Sequence, residues 1–242
     1  MDIIEINNIS KHYRLYYDKG TSLKEKILFT KRNHYEKRTV LEDVSLTVRK
    51  GEAVGLIGAN GCGKSTLLKL IARIIYPDQG TVTTRGRISS LIELGAGFHP
   101  DMTGRENIYT NASIFGLTHR EIEGRLEEII AFSELGEAID TPVRTYSSGM
   151  YMRLAFAVAI HVDADILLVD EILAVGDLAF QAKCLDRMRQ IKEQGTTIII
   201  VSHALSQIED ICQRTVWLQN GKVCMDGPPA QVHPAYLQSM GQ

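Results

Sequence analysis

The fold is decided by one short stretch, Gly58-Ala59-Asn60-Gly61-Cys62-Gly63-Lys64-Ser65. It fits the pattern G-x-x-x-x-G-K-[ST] of a phosphate-binding loop. The apolar residues 53–57 before it predict a buried strand, and residues 66–72 after it predict a helix. The motif therefore stands in the strand–loop–helix context that a phosphate-binding loop requires, with an ordinary glycine-rich turn as the alternative.

The residue types of this loop suit an anionic ligand. Glycines let the backbone approach a phosphate without a Cβ in the way, and the loop N–H groups with the positive end of the helix form an anion cradle. Lys64 can reach the β- and γ-phosphates, and Ser65 can ligate Mg²⁺. Cys62 is either a reactive thiol near a helix N-terminus or an inert small residue. The predicted nucleoside triphosphate site consists of Gly58, Asn60, Gly61, Cys62, Gly63, Lys64, Ser65 and Thr66.

The composition excludes several other classes of protein. The 242 residues are 44% hydrophobic and 23% charged, and the net charge of −2 predicts no bulk attraction to nucleic acid. The four cysteines include no C-x-x-C pair, which argues against a zinc site or a disulfide framework. No apolar run approaches the roughly 18 residues of a membrane span, and the N-terminus lacks the features of a signal peptide. We expect a cytosolic chain that needs a partner for any role at a membrane.

The remaining pattern predicts an α/β nucleotide-binding core that is interrupted by helices. Between about residues 103 and 160, apolar positions recur at helical spacing. Residues 215–225 predict a hairpin with a primed turn at Asn220-Gly221. Near-continuous apolar runs are typical of parallel strands that helices bury on both faces. Strands are predicted at 3–9, 39–48, 81–83, 165–169 and 197–201.

Two adjacent acids, Asp170 and Glu171, follow the apolar run 167–169. Ligands of open α/β sheets bind at the carboxyl ends of the parallel strands, so both acids are expected near the phosphate loop. Asp170 can hold Mg²⁺ through its water shell, and Glu171 can orient and polarise a water beside the γ-phosphate. A pair of solvated acids at a helix start is the alternative.

Two further motifs lie elsewhere in the chain. His203 follows the run 197–201, where an imidazole can hydrogen-bond a γ-phosphate or an attacking water, although a structural histidine is the alternative. Ser147, in Tyr146-Ser147-Ser148-Gly149-Met150, can cap the helix that follows. The start of that helix is a second anion-binding end, or simply a capped helix.

Together these motifs resemble the ATP-binding cassette (ABC) ATPases over the whole chain. The phosphate loop and the two acids are shared with many nucleoside triphosphatases, whereas the Ser147-Ser148-Gly149 stretch followed by His203 is far more specific. The resemblance implies that ATP is the nucleotide, that Glu171 is the catalytic base and that His203 is a switch histidine. It also implies that Asp177 belongs to a loop coupling two sites.

The resemblance further implies a particular assembly. Ser147, Ser148 and Gly149 would contact the γ-phosphate of ATP held by an opposite copy, so the active unit would be a head-to-tail homodimer with ATP and Mg²⁺ at its interface. Tyr13 would stack on adenine, with Tyr16 as the alternative, and base stacking contributes about 1–3 kcal/mol.

Departures from the family pattern point to a subfamily. The usual signature Leu-Ser-Gly-Gly-Gln is Tyr-Ser-Ser-Gly-Met here, and the usual glutamine near Gly95 is missing, with Glu93 as its nearest candidate for Mg²⁺ or water contact. These features, with the motifs at 93–100, 103–108 and 170–177, resemble the ATPases that export lipid-linked O-antigen, capsule or teichoic acid.

This resemblance sets the remaining expectations. The fold would be an α/β P-loop NTPase of ABC type, with a mixed sheet core, an antiparallel β subdomain and an inserted helical subdomain. Residues 1–242 would form one nucleotide-binding domain without a C-terminal carbohydrate-binding domain. The RecA-like core and β subdomain would span about 1–92 and 161–242, and the helical subdomain about 98–160.

The expected role is peripheral, at the cytoplasmic face of the inner membrane, powering a separate integral membrane permease subunit. The basic, aromatic segment 14–38 is either a solvated loop or the place where a lipid-linked glycan docks. The alternatives are an ABC ATPase for another exported substrate, a non-transport ABC ATPase and a small-molecule kinase.

Overall fold

A computed structural model describes residues 1–16, 35–92, 94–170 and 176–241. Within them, nine strands form two sheets. The strands are β1 (Asp2–Tyr16), β2 (Tyr35–Arg49), β3 (Ala53–Ile57), β4 (Gln79–Thr84), β5 (Ile88–Ser90), β6 (Ile166–Asp170), β7 (Thr197–Val201), β8 (Arg214–Gln219) and β9 (Lys222–Gly227). The helices are α1 (Lys64–Ile71), α2 (Gly104–Ile114), α3 (His119–Glu123), α4 (Leu126–Ser133), α5 (Ser148–Ile160), α6 (Leu178–Glu193), α7 (Leu205–Ile211) and α8 (Pro229–Ser239).

The larger sheet has the strand order β5-β6-β7-β3-β8-β9. All neighbouring strands in it run parallel except β8 and β9, which are antiparallel. Every residue of β3 and β7 is buried, as their apolar runs predict for strands covered on both faces. The carboxyl ends of β6, β7 and β3 lie side by side, because Val201 pairs with both Asp170 and Leu56. One edge of this sheet therefore receives the phosphate loop and the acidic strand.

Successive residues of the central strands face opposite layers. Val54 and Leu56 pack with α1 and the smaller sheet, whereas Ala53 and Ile57 pack with residues of α6, α7 and α8. The order of layers is antiparallel sheet, α1, mixed sheet and then the three later helices. The mixed sheet and the antiparallel sheet confirm the fold class that the motifs predict.

The smaller sheet is antiparallel, with the order β2-β1-β4. Its β1–β2 pairing runs from Asp2↔Arg49 out to Tyr16↔Tyr35, well beyond the strands predicted at 3–9 and 39–48. The sequence pattern missed the outer part because burial stops there, so no alternation of apolar and polar residues marks it. The interior of the basic segment 14–38 lies outside the described residues.

The region predicted to be helical contains α2, α3, α4, α5 and two short 3₁₀ turns. Its helices share a hydrophobic cluster that includes Ile108, Ile129 and Leu154. Thr103 and Thr118 begin α2 and α3 with capping boxes, which explains where these helices start. The domain boundaries drawn from the sequence stay a prediction.

The predicted hairpin turn is confirmed. Asn220 and Gly221 both have positive φ, 50° and 77°, which is the primed turn predicted between β8 and β9. All four cysteines are free. In the part of the chain that the structure describes, no helix has both the length and the apolar character needed to cross a membrane.

Candidate functional site

The phosphate loop joins β3 to α1 in a conformation that only glycine accommodates at two of its positions. Gly58 has φ 144°, and a Cβ there would lie 2.2 Å from the Leu218 carbonyl oxygen. Gly63 has φ 112°, and a Cβ there would lie 2.6 Å from Leu41 Cδ2. A side chain at either position would be both strained and overpacked. The glycines of the motif thus let the loop lie against β2 and β8.

Lys64 lies at the start of α1 and is only 6% exposed. Its Nζ donates hydrogen bonds to the carbonyl oxygens of Gly58, at 2.7 Å, and Ala59, at 3.2 Å. The ammonium is therefore held inside the curve of the loop. Burial makes a cation costly unless an anion or several dipoles face it, so this position favours a phosphate.

A cleft of about 360 Å³ opens beside this loop. Several residues of the predicted nucleotide site line it. They are Tyr13 and, from the loop and the start of α1, Asn60, Gly61, Gly63, Lys64, Ser65 and Thr66. Tyr13 is 39% exposed and lines the cleft, and the backbone of Tyr16 pairs with Tyr35 farther out on the ribbon. Which of Tyr13 and Tyr16 stacks on the base stays a prediction. Gly58 and the 7% exposed Cys62 belong to the loop without lining the cleft, and whether the Cys62 thiol is reactive stays a prediction.

Sequence reasoning missed three residues of the cleft: Leu15, Arg38 and Val40. They share one face of the β1–β2 ribbon with Tyr13, because Arg38 is the direct cross-strand partner of Tyr13. Strand alternation from Tyr13 would have identified Leu15. The register that brings Arg38 and Val40 to the same face is set by pairing between distant segments, so no local signal reveals it.

Asp170 and His203 lie on adjacent strand ends. Asp170 is the last residue of β6 and has one buried carboxylate oxygen. His203 follows β7 after Ser202, whose Oγ donates to Gln207 at 2.8 Å and accepts from the Ala204 N–H at 3.0 Å. These bonds fix the turn that carries the exposed imidazole. Glu171 and Glu93 lie outside the described residues, so their roles stay predictions.

The loop after β5 is tied to α5. Tyr151 Oη donates to the Gly95 carbonyl oxygen at 2.9 Å, and its ring packs edge-on against Phe98 at 5.1 Å. Gly95 has φ 75°, and a Cβ there would lie 2.4 Å from the Tyr151 ring. A change in the position of Gly95 would therefore act directly on α5, the helix that Ser147 caps.

A second cavity, of about 680 Å³, lies at the start of α5. Ser147 caps this helix, with its Oγ accepting from the Met150 N–H at 3.2 Å, as predicted. Ser147, Ser148 and Gly149 line the cavity together with Asp177, which caps α6 by accepting from the Phe180 N–H at 2.9 Å. That hydrogen bond, more than the nearby Arg153, holds the pKa of the Asp177 carboxyl below its usual range.

The two cavities have no residue in common. One holds the phosphate loop and Tyr13, and the other holds the Ser147 stretch and Asp177. Each has only part of the groups that the sequence assigns to ATP. In the described ranges, no group of three or more His, Cys, Asp or Glu could hold a metal ion without further ligands.

A phosphate loop on a mixed sheet, an acidic strand end beside it and a separate serine-capped helix define an ATP-binding cassette. A sequence model of the ABC transporter family matches residues 41–174, over half of the chain. The chain belongs to that family, as an ATPase cassette.

Individual relatives and a solved structure show which members of the family this chain resembles. The chain is 50% identical to the O-antigen export system ATP-binding protein RfbB of Klebsiella pneumoniae, with 98% of each protein covered. It is 42% identical to the teichoic acids export ATP-binding protein TagH of Bacillus anthracis, covering 91% of this chain and 40% of that protein. Its fold matches the ADP- and phosphate-bound dimeric cassette MJ0796 with a TM-score of 0.73 at 22% identity, covering 93% of this chain and 98% of that one.

Proposed function

We propose that this chain hydrolyses ATP to power export of a lipid-linked polysaccharide through a separate integral membrane permease. The observation that carries the proposal is the 50% identity, over 98% of both chains, to an O-antigen export ATP-binding protein. The identity to a teichoic acid export protein supports the same substrate class and leaves the particular glycan open. An ABC ATPase for another exported substrate is the alternative.

The proposed catalytic roles are those that the resemblance to the ATP-binding cassettes implies. Lys64 neutralises charge on the β- and γ-phosphates, and Tyr13 stacks on adenine. Glu171 accepts a proton from the water whose oxygen attacks the γ-phosphorus, the bond from that phosphorus to the β–γ bridging oxygen breaks, and ADP and phosphate leave. His203 hydrogen-bonds the γ-phosphate or the attacking water.

The residues present fit Mg²⁺. The ion takes oxygen ligands and is commonly held by one or two protein groups with phosphate oxygens and waters. The Ser65 hydroxyl and the Asp170 carboxylate are such groups, and Glu93 is the proposed third contact. Mg²⁺ would supply neutralisation of the phosphate charge.

The active unit is a head-to-tail homodimer. The separation of the two cavities supports this, because a symmetric pair would bring the Ser147 stretch of each copy against the ATP of the other. The permease places the dimer at the cytoplasmic face of the inner membrane, as a peripheral subunit. The lipid-linked glycan would approach near residues 14–38, where Arg14 stacks 4.8 Å from the Tyr35 ring and Lys37 is exposed.

The test is made in the organism that carries the gene. Deleting the gene is expected to stop surface display of the polysaccharide and to leave its lipid-linked form inside the cell. The wild-type chain should restore display, and Glu171→Gln should not. Purified Glu171→Gln should bind ATP, lose at least about a hundredfold in turnover, and sediment as an ATP-dependent dimer. Unchanged surface polysaccharide after deletion would contradict the substrate, and a monomeric Glu171→Gln protein in ATP would contradict the dimer.

A further inference from the structure

A chain of ion pairs joins three elements along the wall of the Ser147 cavity. The Glu134 carboxylate follows α4 and accepts from Lys183 Nζ at 2.7 Å and from Arg153 Nη1 at 3.0 Å. Arg153, in α5, also donates from Nη2 to Asp177 Oδ2 at 2.9 Å. Glu134 thus connects, through one guanidinium, to the residue that caps α6.

Arg153 is held on several sides. Its guanidinium carbon lies 4.7 Å from the centre of the Phe180 ring, and its side chain is 20% exposed. Gly176 packs so closely that a Cβ there would lie 3.3 Å from Arg153 Nε. With one Nη atom on Glu134 and the other on Asp177, the guanidinium has a fixed plane and direction.

Asp177 is fixed by both oxygens. Oδ1 accepts from the Phe180 N–H and Oδ2 from Arg153. Because Arg153 lies on the same helix as the Ser147 cap, its bond to Asp177 ties the start of α5 to the loop before α6. Both ends of this tie line the second cavity.

The backbone of Glu134 indicates why this residue is present. It ends α4 in the left-handed region, with φ 57° and ψ 27°. Glycine is the usual residue there because it has no Cβ penalty, and a glutamate adopts this conformation only against its intrinsic preference. Such an outlier points to a role for the side chain itself. The role that the contacts offer is to orient Arg153.

We propose that Glu134 is a positioning residue for ATP hydrolysis: it orients Arg153, Arg153 holds Asp177, and the Ser147 helix start and the Asp177 loop therefore act on the opposite copy's ATP as one unit. The inference rests on the proposed ATPase function. Glu134 lines the second cavity with its carboxylate paired to Arg153 and Lys183, and it takes no part in the Tyr13 cleft that holds the phosphate loop. Its loss should therefore affect turnover and leave nucleotide binding intact.

The test compares Glu134→Gly with Glu134→Gln. Glu134→Gly suits the left-handed backbone, so its midpoint of thermal unfolding should equal or exceed that of the wild type. Glu134→Gln keeps the size of the side chain and removes its charge. Both are expected to lower kcat roughly three- to tenfold, within the usual range for residues that couple two sites, with KM for ATP unchanged. Asp210→Asn is the matched control, because it breaks another exposed ion pair, with Arg189, away from both cavities.

A double-mutant cycle identifies the partner. If Glu134 acts through Arg153, adding Glu134→Gln to Arg153→Gln should produce little further loss of kcat. Wild-type kcat in Glu134→Gly, a change confined to KM, additive losses in the double mutant, or an equal loss in Asp210→Asn would each overturn the inference. If the wild-type chain itself hydrolysed no ATP, the proposed function would fail instead, so the two failures are distinguishable.

Discussion

Tyr13 and Arg38 are direct partners across the β1–β2 ribbon, and both line the cleft that ends at Lys64 and Ser65. Directly opposed residues in an antiparallel pair project to the same face, so the phenol and the guanidinium face the cleft together. The neighbouring Lys37 projects to the other face of the ribbon, opposite Arg14. This alternation provides matched pairs of variants.

Removing the Arg38 guanidinium should weaken ATP binding. A guanidinium at this place attracts both the π face of a base and the phosphates, and such an exposed contact contributes about 0.5–1 kcal/mol. Arg38→Ala is therefore expected to raise the Kd for ATP roughly two- to fivefold with kcat unchanged. Titration of nucleotide binding measures this, and Lys37→Ala should leave Kd at its wild-type value. An equal effect of the two variants would show that only the general positive charge matters.

The choice between Tyr13 and Tyr16 can be made with the same assay. Loss of base stacking costs about 1–3 kcal/mol, so Tyr13→Ala should raise the Kd for ATP by roughly fivefold to a hundredfold. Tyr16→Ala should change it by less than about twofold, because Tyr16 lies three residues farther along β1 than Tyr13, at the pairing with Tyr35. The reverse order would mean that the ribbon moves when nucleotide binds.

Mixing two inactive chains should restore activity if each site draws on two copies. Lys64→Ala removes the phosphate ligand, and Gly149→Asp adds a carboxylate facing the opposite copy's phosphate. A Cβ at Gly149 has no contact nearer than 3.9 Å, so the substitution should fold. A mixed dimer keeps one intact site, so random mixing should recover about a quarter of wild-type ATPase activity. Mixing Lys64→Ala with Asp170→Asn is the control, because both changes affect the phosphate-loop half of the ATP site and no mixed dimer keeps an intact site. Recovery of activity there would contradict the head-to-tail arrangement.

Acid should destabilise the helical region through His161. This imidazole is 8% exposed, and its Nδ1 contacts the Ala157 carbonyl oxygen at 2.6 Å, so Nδ1 carries the proton of the neutral ring. Burial, ahead of its other neighbours, lowers the pKa of His161 below its usual value of 6.5. Between pH 6.5 and that lower pKa the unfolded chain binds more protons, so the free energy of unfolding falls as pH falls through this window and is unaffected above it.

The measurement is denaturant unfolding at a series of pH values. His161→Gln can keep a donor towards Ala157 and cannot take up a proton, so its free energy of unfolding should fall less steeply below pH 6.5 than that of the wild type. Parallel curves for the two proteins would mean that His161 is not the group responsible.

The sequence by itself determined the chemistry of the core. The stretch from Gly58 to Ser65 can be identified as a phosphate-binding loop from its neighbours in the sequence. An apolar run precedes it and a helical pattern follows it, and both patterns are local. Asp170 could be placed at a strand end, Ser147 at a helix start and Asn220-Gly221 in a primed turn for the same reason. Each of these predictions depends on residues a few positions apart, and the structure has each of them as predicted.

Only the tertiary structure decided which residues from distant parts of the sequence contact one another. Arg38 reaches the cleft because β2 pairs with β1 in one register, and shifting that register by one residue would turn it to the other face. Glu134, Arg153 and Asp177 meet because α4, α5 and α6 pack around Phe180 and Phe132. Such contacts join residues far apart in sequence, and their geometry depends on the packing of the whole chain rather than on local pattern.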